Sequence, residues 1–124
     1  MAQYSDSTAS RDAGITYHLV AEPVWERSRG ALTYVPEAFD QDGFIHCTNG
    51  TDQLITIANM FYLNDPRPFR VLVLDVASIE SDVRYDDPDR VFPHIYGPLN
   101  TSAVRGELVV TRDANGTFLS IEPE

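Results

Sequence analysis

The run Val71-Leu72-Val73-Leu74-Asp75-Val76 has few places to go in a folded chain. It is almost entirely apolar, its β-branched residues alternate with leucine, and it lacks the polar–apolar alternation of a strand with one wet face. Such a run reads as a central strand covered on both sides. A fold built on it needs other elements above and below, so the rest of the chain is read for what could cover it.

The stretch 15–21 predicts a short strand, with Tyr17 and Leu19 on one face and His18 and Val20 on the other. Pro23 suits the first turn of a helix reaching about Arg29, anchored by Val24 and Trp25 and stopped by Gly30. A second short strand follows over 31–35, then an acidic turn or single helical turn over 37–42. Residues 44–48 form the next strand, with Phe44, His46 and Thr48 on one side and Ile45 and Cys47 on the other. Thr48 or Thr51 is then placed to cap a helix. In that helix Leu54, Ile57, Ala58 and Phe61 make one apolar stripe, and Asn64-Asp65-Pro66 ends it. Late in the chain, strands are expected over 82–85, 91–96, 105–112 and 117–121. The last two flank Asp113-Ala114-Asn115-Gly116, a hairpin signal. Helices early and strands late indicate an α+β fold.

At 124 residues the chain is expected to form one domain, 15–124, after a flexible N-terminal tail at 1–14. The tail has neither a basic start nor an apolar middle, unlike a signal peptide. No apolar run approaches membrane-spanning length. Cys47 is the sole cysteine, so no intrachain disulfide can form, and a cytoplasmic location is expected. A net charge of −10 argues against broad binding to nucleic acid or anionic membranes. All nine basic residues are arginine, which removes lysine-dependent chemistry: Schiff bases, pyridoxal phosphate anchoring and the Walker A motif. A local arginine anion site stays open. Oligomeric state is not fixed by any of these features.

Three short segments carry the chemistry-bearing side chains: Tyr17-His18-Leu19-Val20, Gly43-Phe44-Ile45-His46-Cys47-Thr48 and Phe92-Pro93-His94-Ile95-Tyr96-Gly97-Pro98. All three histidines fall on expected strands beside aromatics, which points to a shared pocket. Taken singly, each also suits a half-buried strand position where it donates to a carbonyl. Three chemistries stay open. A metal site needs three imidazoles around one ion, but the spacing contains no HxH or HExxH. A Cys47 thiol beside His46 would be a nucleophile, yet adjacent strand residues face opposite ways, so Cys47 reads as a small buried hydrophobe. Neutral imidazoles with Tyr96 would hydrogen-bond ribose or phosphate, helped by the N–H groups of the helix start near Thr51. Gly97 either turns the chain at a strand end or lets its backbone approach a flat ligand. Asp75 and Glu107 are the candidates for a catalytic acid on a strand, Glu107 better suiting a solvent-facing edge.

Tyr17-His18, Trp25, the segment from Gly43 to Thr48 and the segment Phe92-Pro93-His94-Ile95-Tyr96-Gly97-Pro98-Leu99 together resemble the DUF952 family. The likeness runs from about Tyr17 to Phe118. That family is largely bacterial and hypothetical in function. The resemblance implies an ADP-ribosyltransferase-like split, mostly antiparallel sheet with two main helices, near the RNA 2′-phosphotransferase branch. It implies a site for NAD or a related nucleotide, as a transferase or glycosidase substrate, with no metal. His18 would hold ribose and frame the nicotinamide, while His46 and His94 would orient ligand or exchange protons. Tyr17, Thr48, Tyr96 and Gly97 would complete the binding surface. ADP-ribosyltransferases rely on a late-strand glutamate, for which Glu107 is the candidate outside the motif. Two alternatives stand beside this expectation: a non-catalytic module sensing a nucleotide or small acid, and a His-ligated metal hydrolase.

Overall fold

The structure, a computed structural model, describes residues 14–123, so the expected tail lies outside the described residues apart from Gly14. In chain order it comprises β1 (Ile15–Ala21), α1 (Glu22–Ser28), β2 (Thr33–Tyr34), α2 (Phe39–Asp42), β3 (Ile45–His46), α3 (Thr51–Phe61), β4 (Phe69–Asp75), β5 (Asp82–Tyr85), β6 (Pro93–Tyr96), β7 (Leu99–Asn100), β8 (Val104–Arg112) and β9 (Phe118–Pro123), with 3-10 turns at Val76–Ser78 and Thr101–Ala103. The fold is α+β, with antiparallel sheets and few helices.

The apolar run is the inner strand its composition requires. β4 lies between β1 and β8 in a four-stranded antiparallel sheet ordered β1-β4-β8-β9. Val71, Leu72 and Leu74 are fully buried. β1 buries Thr16, His18 and Val20 and leaves Ile15, Tyr17 and Leu19 half-covered, the alternation its sequence shows. β2 pairs with β7, and β3-β6-β5 form a small three-stranded sheet. The expected strands over 31–35 and 44–48 shrink to two residues each, and β7 is a strand the sequence did not signal.

α1 starts on Pro23 and buries Val24 and Trp25. α3 is capped by Gly50 at φ 100 with no side-chain bond, so neither Thr48 nor Thr51 caps it. Thr48 is engaged elsewhere: its backbone exchanges two hydrogen bonds with Tyr17, at 3.0 and 2.9 Å, and ties β1 to the segment after β3. α3 buries Leu54 and Ala58, while Phe61 stays 66% exposed, so the buried stripe ends a turn before the sequence period does. Asn59 fixes the helix to the sheet by pairing its side-chain amide with the backbone of Phe118, at 3.1 and 2.8 Å.

The Asn-Gly hairpin forms as expected. Asp113 accepts from the amides of Asn115 and Thr117 at 2.9 and 3.0 Å. Gly116 adopts φ 92, and a Cβ there would lie 2.6 Å from the Leu63 carbonyl oxygen. Arg112 closes this corner by donating to the carbonyls of Tyr62, Leu63, Arg67 and Gly116, with its guanidinium 4.2 Å from the Phe118 ring centre.

His18 joins the sheets. Its Nδ1 lies 2.7 Å from the His46 carbonyl, which can only accept, so Nδ1 carries the proton. Nε2 of the neutral ring then accepts from the Tyr34 hydroxyl at 2.7 Å. One imidazole thus links β1 to β3 and β2. Burial holds its pKa down at about 4, against a backbone bond that raises it and the His46 charge that lowers it further.

A histidine whose folded pKa lies below its unfolded value of about 6.5 favours folding fully only above that value, and the contribution is lost as pH falls toward 4. Urea denaturation should show His18 withdrawing about 2 kcal/mol by pH 5 and about 3 by pH 4. The part of the wild-type slope between pH 6.5 and 5 that His18→Gln removes measures it, and equal slopes would contradict the neutral buried ring.

Candidate functional site

Strand register builds the site. In the small sheet His46 pairs with His94 across β3 and β6, and His94 pairs with Arg84 across β6 and β5. Directly opposed residues share a face, so His46, His94 and Arg84 form one transverse row. Tyr96 and Asp82 form the next row. Phe44 packs over both: its ring stacks on His94 at 4.0 Å between centres, meets His46 edge-on at 4.7 Å and lies 5.3 Å from Tyr96. The two imidazole centres are 5.4 Å apart.

Each imidazole is backed by a carboxylate. His94 Nδ1 lies 2.8 Å from Asp86 Oδ2, and the Tyr96 hydroxyl donates to the same oxygen. His46 Nε2 lies 3.0 Å from Asp42 Oδ2. Carboxylates accept, so these nitrogens carry protons, and among the described residues His94 Nε2 and His46 Nδ1 are left without a hydrogen-bond partner. The Tyr96 hydroxyl first, and His94 second, hold the Asp86 carboxyl below the usual carboxylate range. Asp86 in turn pushes the Tyr96 phenol up.

A cleft of about 600 Å³ opens beside this pair. One wall is polar: His46, Thr48, Asp86, Asp87 and His94. The other is apolar: Ile57, Phe61 and Tyr62 from the end of α3, with Phe92 from the loop before β6. Among the described residues, no arginine lines it. The cation on the same sheet face is Arg84, whose guanidinium sits 4.6 Å from the Tyr96 ring centre and pairs with Asp82 in an exposed ion pair. The 86–92 loop is tied in place locally. Asp87 accepts from the amides of Val91 and Phe92 at 2.8 and 3.2 Å, and Arg90 takes the left-handed φ of 55. Asn49 donates to the Tyr85 hydroxyl at 2.9 Å and to the Arg90 carbonyl at 3.3 Å.

The expected site residues are therefore divided. His46, His94 and Thr48 line the cleft. His18 does not: both its nitrogens are committed inside the core, so the three imidazoles do not converge. Among the described residues, no group of three or more His, Cys, Asp or Glu side chains could hold a metal ion. Tyr17 contributes its backbone bridge to Thr48, and Tyr96 acts on Asp86. Gly97 faces Ser81, whose Oγ would be 2.5 Å from an added Cβ, so its open side is filled by protein. Cys47 sits at the cleft base, nearly fully buried, and burial pushes its thiol pKa up. Glu107 is remote from the cleft, accepting from Trp25 Nε1 at 2.8 Å and from Arg29 at 2.8 and 3.1 Å. Asp75 pairs with Arg105 and Ser78.

Asp42, Asp86, Arg84 and Tyr62 were not singled out in the sequence. Asp86 follows directly on β5, one residue past the antiparallel pair of Tyr85 with Pro93, and its side chain reaches back to the His94 ring. The acidic turn following β5 supplies the carboxylate that backs His94.

These features define a small α+β protein with a carboxylate-backed histidine pair at the edge of a mixed polar and apolar cleft. The profile of DUF952, a family described as protein of unknown function, matches residues 19–107, and the chain belongs to that family. No curated protein matches it. Its fold is similar to that of CC0527 from Caulobacter crescentus: the crystal structure shares 22% identity, with 85% of this chain and 93% of that one covered at a TM-score of 0.71. The solution structure of CC0527 gives 23% identity, 83% and 90% coverage and a TM-score of 0.65. Among the described residues, no helix is long and apolar enough to cross a membrane.

Two outcomes follow from these contacts. Glu107→Gln should cost about 1–3 kcal/mol of stability by weakening the acceptor for Arg29 and Trp25, with cleft resonances in NMR spectra unmoved; shifts at His46 or His94 would place Glu107 in the site after all. Nitrogen-15 spectra should show neutral His94 with its proton on Nδ1, and Asp86→Ala should move it toward Nε2. An unchanged tautomer ratio would remove Asp86 from that role.

Proposed function

We propose that the chain binds NAD or a related nucleotide in the His46–His94 cleft and acts at its N-glycosidic bond, by hydrolysis or by transfer of the ribosyl part. The observation behind this reading is the imidazole of His94, held by Asp86 on one nitrogen and presenting the other to a cleft with an aromatic wall. A base so oriented takes a proton from the attacking water or acceptor hydroxyl. The planar base would rest against Phe61, Tyr62 and Phe92, with the ribose toward the histidines and a phosphate at the rim, within reach of Arg84. As the glycosidic bond lengthens, the anomeric carbon gains positive charge, which the carboxylates of Asp86 and Asp87 stabilise. Among the described residues, no arginine lines the cleft to oppose that charge.

The antiparallel α+β architecture is compatible with the ADP-ribosyltransferase-like fold that the sequence resemblance implies. Glu107 is not the catalytic carboxylate in this reading, because Trp25 and Arg29 hold it elsewhere; Asp86 is the acid nearest the reacting centre. His18 acts through His46, whose carbonyl it fixes, without touching ligand. The chemistry needs no metal and suits a cytoplasmic, small-molecule substrate. A second reading, a non-catalytic module sensing a nucleotide or small acid, draws on the same engagement of Glu107.

Calorimetric titration of NAD and ADP-ribose, followed by chromatography for released base, tests both readings. The expected result is saturable heat with at least one nucleotide, and base release that His94→Ala lowers about 10²–10⁴-fold while affinity stays within a few fold. Binding without turnover selects the sensing module, and no heat from either nucleotide with folded protein overturns the ligand assignment.

A further inference from the structure

We infer that His46, backed by Asp42, is the general acid of the same site, and that its preferred substrates are therefore nucleosides or nucleotides whose base must be protonated to leave. This rests on the glycosidic reading above and narrows its substrate class. The cleft holds two imidazoles of matched construction, each with a carboxylate on one nitrogen and, among the described residues, no hydrogen-bond partner on the other. Their ring centres are 5.4 Å apart, a separation at which one substrate can lie within reach of both. Cross-strand pairing of His46 with His94 sets that spacing, and Phe44, in contact with both rings, restrains it.

The two differ in exposure, and that difference assigns the roles. The His94 side chain is 17% exposed and that of His46 is 57% exposed. A sheltered imidazole on an oriented carboxylate is suited to take a proton from a single water in the cleft. An exposed imidazole can be reprotonated from solvent after each turnover, as a general acid must be. Two such groups would be redundant if the leaving group needed no proton.

In the step, His94 Nε2 removes a proton from water as the water oxygen bonds to the anomeric carbon. The carbon–nitrogen bond breaks, its electron pair goes to the base nitrogen, and the proton on His46 Nδ1 passes to the base. His94 ends protonated and His46 neutral, and exchange with solvent restores both. A purine or pyrimidine is a poor anion and needs this proton. The positively charged nicotinamide ring of NAD leaves as a neutral molecule without it.

The leaving group is therefore the test. Base release by wild type, His46→Gln and Asp42→Asn is measured by chromatography from adenosine, inosine and uridine, and from NAD. We expect His46→Gln to lose about 10²–10⁴-fold on the nucleosides and no more than about tenfold on NAD. Asp42→Asn, an exposed change, should give a smaller loss in the same direction and serves if His46→Gln does not fold. Equal losses on nucleosides and NAD would overturn the acid assignment while leaving glycosidic cleavage standing. No base release from any substrate by folded wild type would overturn the glycosidic reading and this inference with it.

Discussion

The buried imidazole of His18 is the contact on which the arrangement depends. It spends one nitrogen on the His46 carbonyl and the other on the Tyr34 hydroxyl, and so ties the four-stranded sheet to both smaller sheets. A neutral imidazole can do this because it is donor and acceptor at once; a protonated ring would have no lone pair for Tyr34 and would bring a charge into the core. Beside it, the backbone bridge between Tyr17 and Thr48 repeats the connection without side chains. The orientation of β3, and with it His46, is inherited from these bonds.

The small sheet converts pairing register into chemistry. His46 comes from a strand far from the other two in sequence, and it shares a row with His94 and Arg84 only because β3, β6 and β5 pair as they do. Asp86 and Tyr96 then fix the tautomer of His94, and Asp42 that of His46. The acidic net charge of the chain, −10, is expressed locally here: aspartates back both imidazoles and help line the cleft.

The large sheet was the more legible part of the sequence. The run around Val71 to Leu74 could only be an inner strand, the period of Leu54 and Ala58 gave α3, and Asn115-Gly116 gave the β8–β9 hairpin, because each is a local preference. The site was half legible. His46 and His94 stood out by residue type and setting. His18 stood out equally, but nothing local in the sequence says that its partners are a carbonyl and a tyrosine hydroxyl rather than a ligand. Glu107 was attractive as a carboxylate on a late strand, and its partners Trp25 and Arg29 lie far away in sequence. Phe61 completed a helical period yet remains exposed, since α3 runs past what the sheet can cover. In each case the missing information was a long-range pairing.

The cleft is a seam. Its polar wall is carried mainly by the small sheet, and its apolar wall comes largely from α3, which Asn59 fastens to β9 and just past whose end Arg112 grips the Tyr62 and Leu63 carbonyls. A molecule seated between Phe61 and His94 would touch both parts, doing from the outside what His18 does from within. Occupancy would then act as a second rivet, adding to the free energy needed to pull the sheets apart in proportion to the logarithm of ligand concentration.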